Sequence, residues 1–318
     1  MKYGKCSAMS RSDAEDRTPS YIALYESGEL TRRIEALEAM LPSCTLCPRG
    51  CRVDRTRGET GVCRAGRRAM ISSAAPHFGE EPPLVGRSGS GTIFMTHCNH
   101  RCVFCQNYDI SQETDGRRGD EVGPEELAGV MVALADLGCH NINIVSPTHY
   151  VPQVAAALPY AIEAGLDLPL VYNTGGYDSI EVVRLLEGIF DIYMPDYKFT
   201  DPGPAKRYMN APDYPEVIQD ILKEMHRQVG TLRMDEEGIA YRGLLIRHLV
   251  MPGDVAGTAE AMEFIASELS SDSYVNVMQQ YHPMYRAGEF PEIARRLSLE
   301  EYLDAVRAAR RAGLSRGF

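Results

Sequence analysis

The sequence predicts an α/β protein, a partial (β/α)6 TIM-type barrel with a small Cys-rich N-terminal extension. Three observations carry that prediction. From Gly91 onward, short apolar runs alternate about six times with stretches of helical periodicity. Strands that alternate with helices form a parallel sheet, because the crossover helices cover its faces. Polar residues then bunch just after each apolar run, reading THCNHRC, SPTH, NTGG, PDYK, MPGD and QYHP. Barrel folds place functional residues at those C-terminal strand ends. Before Gly91, four cysteines fall between Cys44 and Cys63 in a Gly- and Arg-rich stretch without periodicity.

The elements follow in order. Residues 1–20 are polar and expected to fray. Tyr21–Leu41 places Ile34, Leu37 and Leu41 at helical spacing, which predicts a helix or a helical pair. Residues 44–68 read as a metal-knotted loop, and a Pro-rich link follows around Pro76–Pro83. Strands are expected at 91–96, 141–146, 168–173, 189–194, 243–251 and 274–281. Helices are expected at 125–137, 152–164, 179–186, 215–229 and 259–269, with a last one from Leu299. Ser298 with Glu301 marks that start as a capping box, and Asp178 with Glu181 marks another. Six units over roughly 225 residues fit an open barrel better than a closed eight-unit one.

Composition bounds the rest. A chain of 318 residues accommodates an extension over 1–85 and a barrel over 86–318. The net charge of -11 argues against nucleic acid, whose phosphates need a basic face. No apolar run approaches the ~18 residues of a membrane span. The N-terminus has no apolar core after its lysines, so a secretory signal is not expected and the protein is read as soluble and cytoplasmic. Nine cysteines in a reducing compartment point to metal ligation rather than disulfides, and only Cys6 and Cys139 stand apart from the two clusters.

Cys98, Cys102 and Cys105 directly follow the first expected strand, spaced x3 and x2. Each iron of a cubane [4Fe-4S] cluster needs a ligand, and thiolates are the usual ones. Three cysteines so close hold three irons and leave the fourth open to a small molecule. A zinc site with a distant fourth ligand is the alternative. CNHRCVFC resembles the CX3CX2C signature of the radical S-adenosylmethionine (SAM) superfamily. The aromatic before the last cysteine, Phe104, packs near the adenine in that family. The resemblance is closest to the pyruvate formate-lyase activating enzyme and its relatives, and runs from about Cys44 to the C-terminus. It implies a [4Fe-4S] cluster and SAM as cofactors. It also implies oxidoreductase chemistry in which one electron cleaves SAM to a 5′-deoxyadenosyl radical, and this radical abstracts hydrogen from a substrate such as a glycine of a glycyl-radical enzyme. A small molecule or a peptide is the other substrate class.

Further residues come from the same resemblance. Where the family has a Gly-Gly-Glu-Pro-like turn, this chain has Ser146-Pro147-Thr148, and Ser146 and Thr148 are candidates to assist the SAM amino group. Asn173-Thr174-Gly175-Gly176 and Met194-Pro195-Asp196-Tyr197-Lys198 resemble segments lining the methionyl end. On chemistry alone, Lys198 pairs a carboxylate and Asp196 a cation, or the two pair with each other. Arg247 in Arg247–Gly253 resembles an arginine near SAM. His282 resembles a histidine on the ribose side.

Cys44, Cys47, Cys51 and Cys63 form a second candidate metal site, holding either a second iron–sulfur cluster or structural zinc. Residues 44–70 carry seven arginines against Asp54 and Glu59. They offset thiolate charge, or they form a docking face for an acidic electron donor such as a flavodoxin or ferredoxin. The alternative to an enzyme is a non-catalytic iron–sulfur electron carrier or a metal-stapled interaction module.

Overall fold

The structure is a computed structural model that describes residues 17–112 and 119–318. Cys6 and most of the segment expected to fray lie outside the described residues. Nine strands are described: β1 (Ala69–His77), β2 (Ser90–Met95), β3 (Asp120–Val122), β4 (Ile142–Val145), β5 (Leu170–Thr174), β6 (Ile192–Pro195), β7 (Arg233–Met234), β8 (Ala240–Leu249) and β9 (Tyr274–Met278). They form one mixed, unclosed sheet in the order β3-β1-β2-β4-β5-β6-β8-β7, with β9 also paired to β8. The strands β2, β4, β5, β6, β8 and β9 run parallel. These are the six strands expected from sequence.

Their apolar runs are nearly continuous because helices cover one face and the barrel interior the other. All five residues of β5 are buried. The helix Tyr214–Val229 buries Ile218, Ile221, Leu222, Met225 and Val229 along one stripe. The helix Leu299–Arg311 starts as expected: Ser298 Oγ accepts from the Glu301 amide and the Glu301 carboxylate from the Ser298 amide. The N-terminal helical pair is Ser20–Glu26 and Glu29–Glu38. It is pinned to the barrel where the Ser20 amide donates to Asp191 Oδ1 at 2.9 Å and Tyr21 OH to Leu168 O at 2.9 Å.

The second expected capping box is absent. Helix Ile180–Leu185 has Ser179 at its N-cap and no side-chain cap. Asp178 instead turns inward and is 1% exposed. Among the elements that were not expected are three strands and one helix that bear on the sheet and the site. β1 and β3 extend the sheet antiparallel beyond β2, so strand pairing crosses the Pro-rich link that was read as a linker. Pro76 is tolerated because it lies past the three residues that pair with β3, where β1 is an edge. β7 adds two residues against β8. Helix Pro202–Met209 starts on Asp201, whose side chain accepts from the Gly203 amide. Among the described residues no helix is long and apolar enough to cross a membrane.

Candidate functional site

The loop after β2 carries the cysteine triplet. His97 turns the chain with φ +68, and the loop is fixed by backbone bonds from Val103 N to Tyr208 O and from Arg286 N to Val103 O. Cys102 is buried; Cys98 and Cys105 are half-buried. The His100 amide lies 3.4 Å from Cys98 Sγ, and Ser111 Oγ 3.2 Å from Cys105 Sγ. Burial pushes the Cys98 and Cys102 thiols up to about 12, against the pull of the Lys198 cation. The protons must therefore be displaced by whatever binds there.

The strand ends close around this loop. Cys98, Cys102, Phe104, Cys105, Ser146, Asn173, Asp196, Lys198 and Arg247 all line one cavity of about 410 Å³. These are nine of the residues singled out from sequence. Thr148 is not on the wall; it is buried behind it, where its hydroxyl donates to Asp178 Oδ1 at 2.7 Å. His282 lies outside the lining, with Nδ1 3.1 Å from Gln280 O. Gly175 is required by close approach: a Cβ there would stand 2.5 Å from His100 Nε2.

A chain of charge crosses the wall. Lys198 Nζ donates to Asp196 Oδ2 at 2.5 Å, Arg247 Nε to Asp196 Oδ1 at 2.7 Å, and Arg247 Nη2 to Asn173 Oδ1 at 2.7 Å. Burial alone would raise the Asp196 carboxyl, but Arg247 and Lys198 outweigh it and hold it at about 2. Glu80 and Glu81, not foreseen, reach the same cavity from the segment after β1. Glu80 Oε2 stands 3.7 Å from Arg247 Nη1 and has no hydrogen-bond partner. Glu81 accepts from Asn276. The only signal for them was two adjacent acids inside an apparently inert Gly-Pro-rich run.

The donor set suits an iron–sulfur cluster with a zwitterion beside it. Three soft thiols share the wall with His100, whose two ring nitrogens are buried without partners. Among the described residues no three His, Cys, Asp or Glu side chains stand close enough to hold a single metal ion. A cubane is a wider body whose corners each take one thiolate, so its ligands need not meet at a point.

Comparison with known proteins agrees. The family model "Radical SAM superfamily" matches residues 92–265. The chain belongs to the radical SAM superfamily. A protein of Methanocaldococcus jannaschii called uncharacterized protein MJ0674 is 34% identical over 292 residues, covering 90% of this chain and 79% of that one. A radical SAM methyltransferase from Sphaerobacter thermophilus shares 14% identity at a TM-score of 0.47, over 71% of this chain and 65% of that one. Streptococcus suis SuiB, solved with precursor peptide SuiA, shares 14% at 0.45, over 69% and 46%. The chain thus spans less than two thirds of either solved structure. Membership of the radical SAM superfamily implies a [4Fe-4S] cluster, SAM, and cleavage of SAM by radical chemistry.

The other four cysteines gather elsewhere. Cys44, Cys47, Cys51 and Cys63 line a second, smaller cavity together with Arg55 and His149.

Proposed function

We propose that this radical SAM protein is an oxidoreductase that cleaves SAM reductively on the Cys98, Cys102 and Cys105 cluster. It then abstracts a hydrogen atom from the α-carbon of a glycine in a glycyl-radical enzyme. The observation that carries the reading is the buried Asn173–Arg247–Asp196–Lys198 chain on the same wall as the three thiols. A wall of two cations and three acids, Asp196, Glu80 and Glu81, suits a ligand bearing both an ammonium and a carboxylate. Lys198 and Arg247 attract the carboxylate, and the unfilled Glu80 oxygen attracts the ammonium. Phe104 packs edge-on to Phe199 at 5.9 Å and offers an aromatic surface to an adenine. The bound cluster supplies the electron that turns SAM into a source of 5′-deoxyadenosyl radical. The glycine target is supported by the likeness of 173–176, 194–198 and 247–253 to activating enzymes. It is also supported by the open sheet, which suits entry of a protein loop.

Two measurements test this. Anaerobically reconstituted protein given SAM and dithionite should release 5′-deoxyadenosine, and Cys102→Ala should release none. No product from fully loaded protein would sink the reading. A glycyl-radical doublet should then appear by EPR when a glycyl-radical enzyme is added; product without the doublet would remove the glycine target alone.

A further inference from the structure

The cavity lined by Cys44, Cys47, Cys51 and Cys63 is not used by the chemistry above, yet it is built with care. Cys44 is clamped by paired backbone bonds, from its amide to Val53 O and from the Arg52 amide to its carbonyl, each 3.0 Å. Cys51 Sγ accepts the Val62 amide at 3.4 Å, and the Arg49 and Ala65 amides favour the Cys47 and Cys63 thiolates. Such bonds stabilise thiolates and tune the potential of a bound cluster. Gly61 makes this possible, since a Cβ there would lie 2.7 Å from Cys51 Sγ.

His149 adds an independent observation. It is 2% exposed and lines the same cavity. Its Nε2 lies 2.9 Å from Thr96 O, an acceptor, so Nε2 carries the proton and Nδ1 presents a lone pair. That Nδ1 is buried without a partner. Four thiols and a lone pair around one void call for an electron-poor guest. Among the described residues no three His, Cys, Asp or Glu side chains stand close enough to hold one ion, so these thiols suit a wider cluster, each corner taking one thiolate, better than a tetrahedral zinc.

The cavity also abuts the triplet loop. Arg49 Nε donates to Asn99 O at 3.1 Å, Arg101 to Val62 O, and Arg64 Nη1 to Gln112 O at 3.2 Å. The Asn99 side chain favours the Cys47 thiolate and has its Oδ1 4.0 Å from Cys98 Sγ, while its Nδ2 donates to Tyr177 O at 2.6 Å. One amide thus lies beside a thiol of each set. From the same segment, Arg52, Arg64 and Arg67 are exposed and, among the described residues, make no ion pair.

We infer that Cys44, Cys47, Cys51 and Cys63 hold a second [4Fe-4S] cluster that relays electrons to the triplet cluster through the Asn99 contact, taking them from an acidic one-electron donor protein docked on the arginine face. Each transfer oxidises the donor by one electron, reduces the second cluster by one, and passes that electron on; no bond is made or broken. The relay rests on the proposed SAM chemistry, whereas the cluster does not.

Iron counting separates the two. The Cys98→Ala/Cys102→Ala/Cys105→Ala variant, reconstituted with iron and sulfide, should keep about four irons and four sulfides per chain with negligible zinc. One zinc and no iron overturns the cluster, whatever the SAM assay gives. Should that variant not fold, the unaltered protein decides: about eight irons support the cluster and about four overturn it. For the relay, the triplet cluster is followed by rapid-freeze EPR after mixing with reduced flavodoxin. Asn99→Ala should slow its reduction by an order of magnitude while reduction by dithionite, a small ion, stays fast. Equal slowing by both reductants, or by neither, overturns the relay.

Discussion

Replacing Asp178 by Asn isolates the support of the cavity wall from the wall itself. Asp178 accepts three hydroxyls, Thr148 Oγ1 and Tyr172 OH on Oδ1 and Thr174 Oγ1 on Oδ2, each at 2.7 Å. Asn matches the shape but has one acceptor oxygen. If that oxygen keeps Thr148 and Tyr172, the new amide meets Thr174 Oγ1, which already accepts the Gly176 amide at 3.1 Å. A buried donor loses its partner, at a cost of about 2 kcal/mol. Asp178→Ala removes the acceptor of all three hydroxyls, leaving Thr148 and Thr174 only each other at 3.2 Å, and should cost about 4 kcal/mol. Equilibrium urea unfolding of the apoprotein reads both. SAM affinity should fall as well, because Thr148 belongs to the turn that carries Ser146. Burial raises the Asp178 carboxyl above its usual value. Its protonation therefore favours the folded state, and that contribution is lost as pH rises through the folded pKa. The Asn variant lacks this dependence, so its deficit should be largest in acid. A deficit below about 0.5 kcal/mol at every pH would refute the reasoning, since that is the scatter of neutral surface changes.

Arg247→Lys keeps the charge but cannot hold Asp196 and Asn173 together; SAM affinity measured by calorimetry should fall about tenfold, or roughly 1.4 kcal/mol. Asp196 is held at about 2, below the unfolded value of 3.8, so it contributes roughly 2 kcal/mol above pH 4 that is lost as pH falls towards 2. Asp191 has the opposite sign: burial lifts it to about 6, so its contribution is present below pH 4 and lost as pH rises to about 6. Urea midpoints against pH should show the first slope vanish in Asp196→Asn and the second in Asp191→Asn. Gly61→Ala should drive a methyl into Cys51 Sγ, and iron analysis should show about half the metal lost with the triplet cluster intact.

The parallel core was legible because burial on both faces writes long apolar runs, and because strand ends in a barrel must carry its chemistry. The antiparallel additions were not. β1 leaves Ser73 to Ala75 exposed and contains a proline, so it shows neither an apolar run nor clean alternation. Helix Pro202–Met209 did carry a signal, Asp201 before Pro202, but its short length hid the periodicity. Asp178 was misread for a physical reason. An Asp three residues before a Glu scores as a cap whether its side chain bonds the helix or the core. Only the packing shows that Thr148, Tyr172 and Thr174 claim it.

The buried cations explain why residues far apart in sequence share this wall. Lys198 and Arg247, whose side chains are mostly buried, cannot stay charged without anions, because removing one partner of a buried pair leaves a charge that costs about 3–5 kcal/mol. Asp196 alone serves both cations and sits between them. Its two oxygens are then committed, and nothing on β4 supplies more negative charge, since that strand ends in Ser146-Pro147-Thr148. Glu80 and Glu81 supply it from the chain before β2, beside Arg247 and Asn276. The acid expected after the second strand is missing from that turn, and the cavity gains acids from another segment. Charge in an enclosed site is set by what surrounds the cavity, not by which strand delivers it. A reading of one strand end at a time therefore finds the cations and misses two of the three acids that keep them there.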